Sequence, residues 1–186
     1  MDDFKIIHKE LENRFKEIRQ RIHRLQSGGT IDSLKNIGAD TSRQIGASYV
    51  SLKQLAENYS PDESLAILLW NTQKREEQIM ACLLLPWDIN KEKITQLITQ
   101  CISFEIAGYL GSLCLCKRKD LIQFAIPWLD SGIPYQQTAM LTALARHLIL
   151  YKEDPYITKT FFTSVVNRNF PDKYVQLMAE RYRFNT

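Results

Sequence analysis

Residues 60–86 read SPDESLAILLWNTQKREEQIMACLLLP, which is the pattern of two helices joined by a short turn. Ser60 is the predicted N-cap of the first helix, because its hydroxyl can accept an early helical N–H, and Pro61 suits the first helical position. The second helix is predicted from about Lys74 and ends at Pro86. The inward positions follow helical spacing: Leu65, Leu68, Leu69 and Trp70 in the first, and Ile79, Met80, Leu83 and Leu84 in the second. This helical hairpin favours an all-α fold.

The N-terminal stretch predicts a helix of about six turns. Its apolar stripe recurs at spacings of three and four residues: Phe4, Ile7, Leu11, Phe15, Ile18, Ile22 and Leu25. Gly28 and Gly29 follow within residues 26–30 and are expected to break that pattern. Asp40 and Thr41 are candidate caps for the next helix, which runs through Tyr49 and Leu52.

The remainder repeats this organisation, and alternation typical of a strand is nowhere sustained. Helices are predicted near residues 90–100, 102–115, 118–130, 134–150, 154–168 and 171–183. Helices of this length joined by short turns are typical of HEAT or armadillo arrays. The predicted fold is therefore a single all-α domain over residues 1–186, a HEAT-like helical-repeat solenoid of antiparallel helix pairs. A non-repeating helical bundle stays open, because no strict repeat signature is present.

Composition excludes several classes of protein. Seven glycines and six prolines in 186 residues are too few for the turns of an all-β sandwich, and a net charge of +3 is small for a dedicated nucleic-acid module. The four cysteines suit buried apolar positions, and Cys114-Leu115-Cys116 lacks the second ligand pair of a zinc site. Neither a signal peptide nor a membrane-spanning run is visible. We therefore expect a cytoplasmic chain with reduced thiols, no metal and no cofactor.

Residues 37–85 carry a resemblance to a known family. The pattern is a leucine-tryptophan pair at Leu69-Trp70, a short turn, then Arg75-Glu76 and Ala81, preceded by Ile37-Gly38-Ala39-Asp40. It resembles the DNA alkylation repair family of AlkD-type glycosylases, clearly over about 50 residues and more weakly to Arg183. The resemblance implies a curved array of helical hairpins whose concave basic face holds duplex DNA. It also implies excision of N3- and N7-alkylated purines by an aspartate and two tryptophans near the sugar, where negative charge and aromatic faces stabilise a cationic transition state.

The catalytic positions that the resemblance implies are altered in this sequence. The family's first stretch reads Trp-Asp-x-Val-Asp, and its best match is residues 103–108. Phe104 keeps an aromatic ring there, Gly108 stands in place of the catalytic aspartate, and Glu105 one turn earlier is the candidate substitute. Gln137 stands where the family has an arginine, and the last helix, residues 174–183, contains no tryptophan. The sequence therefore predicts DNA binding and leaves base excision open.

Basic clusters supply the candidate DNA contacts. Residues 14–24 hold five Lys and Arg side chains against Glu17, and Lys117-Arg118-Lys119 lie at a predicted helix–helix turn. A few cations placed on phosphates give salt-dependent affinity without sequence reading. The candidate DNA-binding residues are Arg21, Lys117, Arg118, Lys119, Gln137 and Arg181.

Two alternatives stay open. The cations of residues 14–24 suit solvated helix faces equally well, and a solenoid can serve as a protein-interaction scaffold through the same surface. The tryptophans are interpreted as packing residues: Trp70 in the core, Trp87 as a partial lid on the core, and Trp128 between helices.

Overall fold

The computed structural model describes residues 8–36 and 40–184, and every regular element in those ranges is helical. The all-α prediction is thereby confirmed. Residue contacts divide the chain into two compact units, residues 1–86 and 87–186. The repeat organisation and the single domain over residues 1–186 stay predictions. The first apolar positions, Phe4 and Ile7, and the Ile37–Ala39 part of the resemblance lie outside the described residues.

The first unit contains five helices in its described part. They are α1 (Lys9–Arg24), α2 (Gly28–Asn36), α3 (Tyr49–Ala56), α4 (Glu63–Asn71) and α5 (Arg75–Leu84). The predicted hairpin corresponds to α4 and α5, which pack against each other, while α1 and α3 cover them. Trp70, Leu65 and Ile79 are fully buried in the resulting core.

Two predicted caps in this unit are wrong. The helix expected after Asp40 begins only at Tyr49, with Ser48 as its N-cap, because the preceding segment is bound elsewhere. The backbone N–H groups of Ile45 and Gly46 donate to the buried carboxylate of Glu76 at 3.2 and 3.0 Å. Gly46 has a φ of +77°, a left-handed conformation that suits glycine and is incompatible with a helix there.

The second wrong cap concerns α4. Asp62 is its N-cap, not Ser60, and its carboxylate accepts the Leu65 N–H at 3.0 Å. The glycine pair also differs from expectation. After α1 has ended at Arg24, Gly28 and Gly29 begin the short helix α2.

The second unit is built around one long helix. Its regular helices are α6 (Lys91–Thr99), α7 (Phe104–Tyr109), α8 (Leu121–Leu129), α9 (Pro134–Leu150), α10 (Lys159–Val166) and α11 (Lys173–Phe184). Each lies at a range predicted from the sequence. The α9 helix packs against all five of the others and against the segment that follows α7.

The end of α7 departs from regular helix in a way that shapes the neighbouring surface. It passes into a π-helical turn, Leu110–Cys114, and then a 3-10 turn, Leu115–Lys117. Cys114, Leu115 and Cys116 are fully buried, and the chain reaches the surface at Lys117. No described helix is both long enough and apolar enough to cross a lipid bilayer.

Candidate nucleic-acid interface

A cleft of about 850 Å³ lies in the second unit where the 3-10 turn meets the C-terminal end of α9. It is lined by Trp87, by Lys117, Arg118 and Lys119, and by His147, Ile149, Leu150, Tyr151, Lys152, Glu153 and Asp154. The cleft therefore combines three of the predicted DNA-binding residues with the aromatic side chains of Trp87 and Tyr151, which no sequence pattern marks as a site.

Arg118 is part of the fold and not of an exposed basic patch. Its guanidinium binds Asp120 through two parallel hydrogen bonds, Nε to Oδ1 and Nη2 to Oδ2, both 2.8 Å long. Its Nη1 donates to the backbone carbonyl oxygens of Trp87 and Ile89 at 3.1 and 2.6 Å. Only 6% of the residue is exposed. The prediction that Arg118 contacts DNA is not supported, because these bonds hold its donors inside the protein.

Lys117 and Lys119, in contrast, are exposed on either side of Arg118. Lys152 reaches the same cleft from the segment after α9. In the described part of the chain, none of these three ammonium groups has an ion-pair partner. Their charges are therefore available to an anion from outside the molecule.

A further cation lies close to this group. Burial raises the pKa of the Cys116 thiol, while the charges of Lys117 and Arg146 act in the opposite direction. Both cations are thus within electrostatic reach of the same sulfur. Arg146 is exposed on α9. The positive charge around the 3-10 turn consequently comes from two elements of the chain.

His147 forms the inner wall of the cleft. Its Nδ1 lies 2.8 Å from the backbone carbonyl oxygen of Cys116, and its Nε2 lies 3.1 Å from Oδ2 of Asp154. Both ring nitrogens therefore lie within hydrogen-bond distance of an oxygen atom. The imidazole therefore ties α9 to the 3-10 turn and to the loop before α10.

Asp154 is held on its other side by that loop. Its Oδ1 accepts the backbone N–H groups of Tyr156 and Ile157 at 2.8 and 2.7 Å. Burial acts to raise the pKa of this carboxyl, but the two N–H groups and His147 outweigh burial and lower the pKa below the ordinary value. Asp154 is therefore a fixed anion of the wall, and Glu153 is the exposed carboxylate of the cleft.

Trp87 is the most exposed of the three tryptophans. Of its surface 44% is exposed, against 0% for Trp70 and 4% for Trp128, so Trp87 is covered only in part. Tyr151 is also 44% exposed and lines the same cleft, with its ring 4.7 Å from the His147 ring between centroids. The signal that could have identified Trp87 is its place after Pro86 and before Asp88, outside any apolar helical stripe.

Comparisons with protein-family models, with curated proteins and with solved structures give no match. The resemblance to the DNA alkylation repair family therefore stays a prediction.

The other candidate DNA contacts are not among the residues that line the cleft. Gln137 is buried in α9 and donates from Nε2 to the Leu129 carbonyl oxygen at 2.9 Å, so its amide secures the turn between α8 and α9. Arg21 belongs to the first unit, is exposed, and pairs with Glu17 at 2.7 Å along α1. Arg181 is exposed in the last turn of α11.

The candidate catalytic residues occupy a separate aromatic cluster. Phe104 begins α7 and stacks on Tyr174 with centroids 4.1 Å apart, and the edge of Tyr135 contacts it at 5.0 Å. One face of the phenyl ring is therefore covered. Glu105 is exposed in the first turn of α7. A Cβ added at Gly108 would meet only Thr142 Oγ1, at 3.9 Å, so the position has room for a β-carbon.

A smaller cleft, of about 410 Å³, lies in the first unit between α1, the segment before α3, and the start of α5. Glu77 in its wall accepts a hydrogen bond from Arg19 Nε at 3.1 Å. The other carboxylate oxygen of Glu77 is buried with no partner among the described residues.

The described residues contain no cluster of three or more histidines, cysteines or carboxylates arranged to hold a metal ion.

Proposed function

We propose that the chain is a DNA-binding protein of the alkylation repair type, which holds duplex DNA through its phosphates on a basic face of a HEAT-like helical array. The observation that carries the proposal is the placement of Lys117, Lys119 and Lys152 around one cleft, with no ion-pair partner in the described residues. Each lysine that replaces a condensed counterion contributes affinity for any DNA sequence.

The fixed position of the turn supports phosphate binding. Arg118 holds the backbone between Lys117 and Lys119 through Asp120 and two carbonyl oxygens. Lysines on a fixed turn lose less freedom on binding than lysines on a flexible loop, so more of their attraction for phosphate appears as affinity.

Base excision is not part of the proposal. Phe104 has one face against Tyr174, and Gly108 offers no carboxylate where the resemblance expects one. Glu105 and Phe104 stay the candidates for charge stabilisation at the sugar. We expect the protein to bind duplex DNA containing N7-methylguanine without releasing the base. Release that is lost in Glu105→Gln would instead assign excision to a relocated carboxylate.

The test of DNA binding is a salt series. Affinity for a 20-base-pair duplex is measured by fluorescence anisotropy for the wild type and for Lys117→Ala/Lys119→Ala. Loss of two phosphate contacts should reduce the slope of log affinity against log salt by about two. The matched control is Lys35→Ala/Lys53→Ala, which removes two exposed lysines of the first unit and should leave the slope unchanged.

The sign of the charge gives a second test. Glu153 lines the cleft beside Lys152, and its carboxylate repels a phosphate. Glu153→Gln should therefore tighten duplex binding, most strongly at low salt where charges are least screened. An unchanged salt slope in the double lysine variant, together with unchanged affinity in Glu153→Gln, would contradict DNA binding at this cleft.

The alternative function is a protein-interaction scaffold. A second, more apolar cleft of about 820 Å³ in the same unit favours it, lined by Ala145, Leu148, Ile149 and Phe162 among others. Exposed apolar surface of this kind is typical of sites that bind proteins. If the protein shows no salt-dependent affinity for DNA, the protein-interaction scaffold becomes the favoured function.

A further inference from the structure

We propose that the cleft beside the 3-10 turn binds an unpaired nucleotide, with its base against Trp87 and Tyr151 and its phosphate on Lys117 or Lys119. The inference rests on the proposed DNA binding and adds a second class of contact to it. Phosphate contacts alone give similar affinity for paired and unpaired DNA. A stacking site gives higher affinity for DNA with an exposed base.

The indole of Trp87 is exposed on a backbone that is fixed. The Trp87 carbonyl oxygen accepts a hydrogen bond from the buried Arg118, and Ile89 two residues later is bound by the same guanidinium. Among the described residues, Trp87 has no aromatic partner. Apolar ring surface that stays in water is costly, and a flat ligand that covers the exposed part of the indole would relieve that cost.

Tyr151 approaches the same space from the end of α9. Its backbone N–H donates to the His147 carbonyl oxygen at 2.8 Å, and its ring packs against the buried His147 imidazole. His147 is in turn bound to Cys116 and Asp154. Both aromatic side chains of the cleft are consequently attached to backbone segments held by buried polar groups.

The size and chemistry of the cleft fit a nucleotide. Its volume of about 850 Å³ lies in the range of small-ligand pockets. Lysines beside exposed aromatic rings are the combination that binds single-stranded nucleic acid, because every base has a face for stacking and every linkage has a negative charge. In an intact duplex both faces of a base are covered, so the ligand must be a base that is bulged, overhanging or mispaired.

The experiment compares two DNA molecules that differ by one nucleotide. One is a fully paired 20-base-pair duplex, and the other carries a single unpaired adenosine at its centre. The bulged duplex should bind the wild type about five-fold to a hundred-fold more tightly, the range expected for stacking of one base. Trp87→Ala should remove this preference while the affinity for the paired duplex is kept.

The conservative variant separates stacking from damage to the fold. Trp87→Phe keeps an aromatic face and should retain most of the preference, while Lys117→Ala/Lys119→Ala should weaken binding of both duplexes. Because Trp70 and Trp128 are buried, quenching of the tryptophan fluorescence by dAMP should come from Trp87 and should vanish in Trp87→Phe. Thermal melting of each variant verifies that it is folded.

The outcomes are distinct for the two proposals. Equal affinity of the wild type for the two duplexes, or a preference that survives in Trp87→Ala, would overturn the stacking site and leave phosphate binding intact. No binding to either duplex would overturn both. Loss of the preference in Trp87→Ala with rescue in Trp87→Phe would establish the aromatic site.

Discussion

Gly111 lies so close to the backbone of Ala139 that a Cβ at position 111 would stand 2.2 Å from the Ala139 carbonyl oxygen. The π-helical turn therefore packs on α9 through backbone, with no room for a side chain. This contact sets how near the following 3-10 turn, and with it Lys117, lies to the C-terminal half of α9. Gly108, three residues earlier, has no such neighbour.

The two glycines should consequently respond in opposite directions to the same substitution. Gly111→Ala should lower the free energy of unfolding by about 3 kcal/mol, because the new methyl group forces backbone apart. Gly108→Ala should raise it by about 0.5–1 kcal/mol, because alanine restricts the unfolded chain more than glycine does. Urea unfolding followed by circular dichroism measures both. Equal effects of the two variants would contradict the close contact between Gly111 and Ala139.

Arg118 should matter for stability where its two lysine neighbours do not. Arg118→Met leaves the carbonyl oxygens of Trp87 and Ile89 without the donor they have in the fold and should cost about 2 kcal/mol or more. Lys117→Met and Lys119→Met should each change stability by less than about 0.5 kcal/mol, as exposed substitutions usually do. Thermal melting and DNA anisotropy on the same three variants provide the comparison. A stable Arg118→Met protein with weakened DNA binding would instead make Arg118 a direct contact.

The Arg118–Asp120 pair should appear in the pH dependence of stability. The hydrogen bond from Arg118 lowers the pKa of Asp120 below its ordinary value of 3.8, although partial burial opposes this. A carboxyl with a lowered folded-state pKa stabilises the fold above its unfolded pKa, and that contribution is lost as the pH falls through the folded pKa. The stability difference between wild type and Asp120→Asn should therefore be constant near neutral pH and should shrink below about pH 4. A stability difference that grows as the pH falls would contradict a lowered pKa for Asp120 in the folded protein.

The cysteines should resist modification in the folded chain. All four are buried, and burial raises the pKa of Cys101 to about 11 and that of Cys114 to about 12. Because the thiolate is the reactive form, thiol reagents at pH 7.5 should label the native protein slowly and all four positions rapidly in denaturant. Counting labelled thiols by mass spectrometry with time tests this expectation. A cysteine that reacts at once in the native protein would show local opening around it.

Local patterns in the sequence predicted the helices, because apolar spacing and proline placement are properties of neighbouring residues. The helix α9 begins at Pro134 and ends at Leu150 within the range that its sequence indicates. The prediction that Asp40 caps α3 was wrong, because a long-range hydrogen bond holds the segment after Asp40 out of the helix. The carboxylate of Glu76, about 30 residues away, binds the intervening backbone at Ile45 and Gly46.

The sequence predicted only the part of the candidate site that depends on neighbouring residues. Lys117 and Lys119 were recognisable as adjacent charges, but no local pattern shows that Arg118 between them meets Trp87 and Ile89. Trp87 and Tyr151 are 64 residues apart in sequence and share a cleft only through tertiary structure. Sequence spacing cannot bring them together.

The buried guanidinium of Arg118 also bears on the rate at which the cleft would bind the proposed DNA ligand. A turn whose shape is fixed by folding needs no rearrangement before contact, so most encounters guided by charge can become productive. Association should then be fast and limited by diffusion, while residence time is decided by what the cleft holds once the ligand has arrived. Arg118 would in this way set the association rate of Lys117 and Lys119 with a ligand that it does not itself contact.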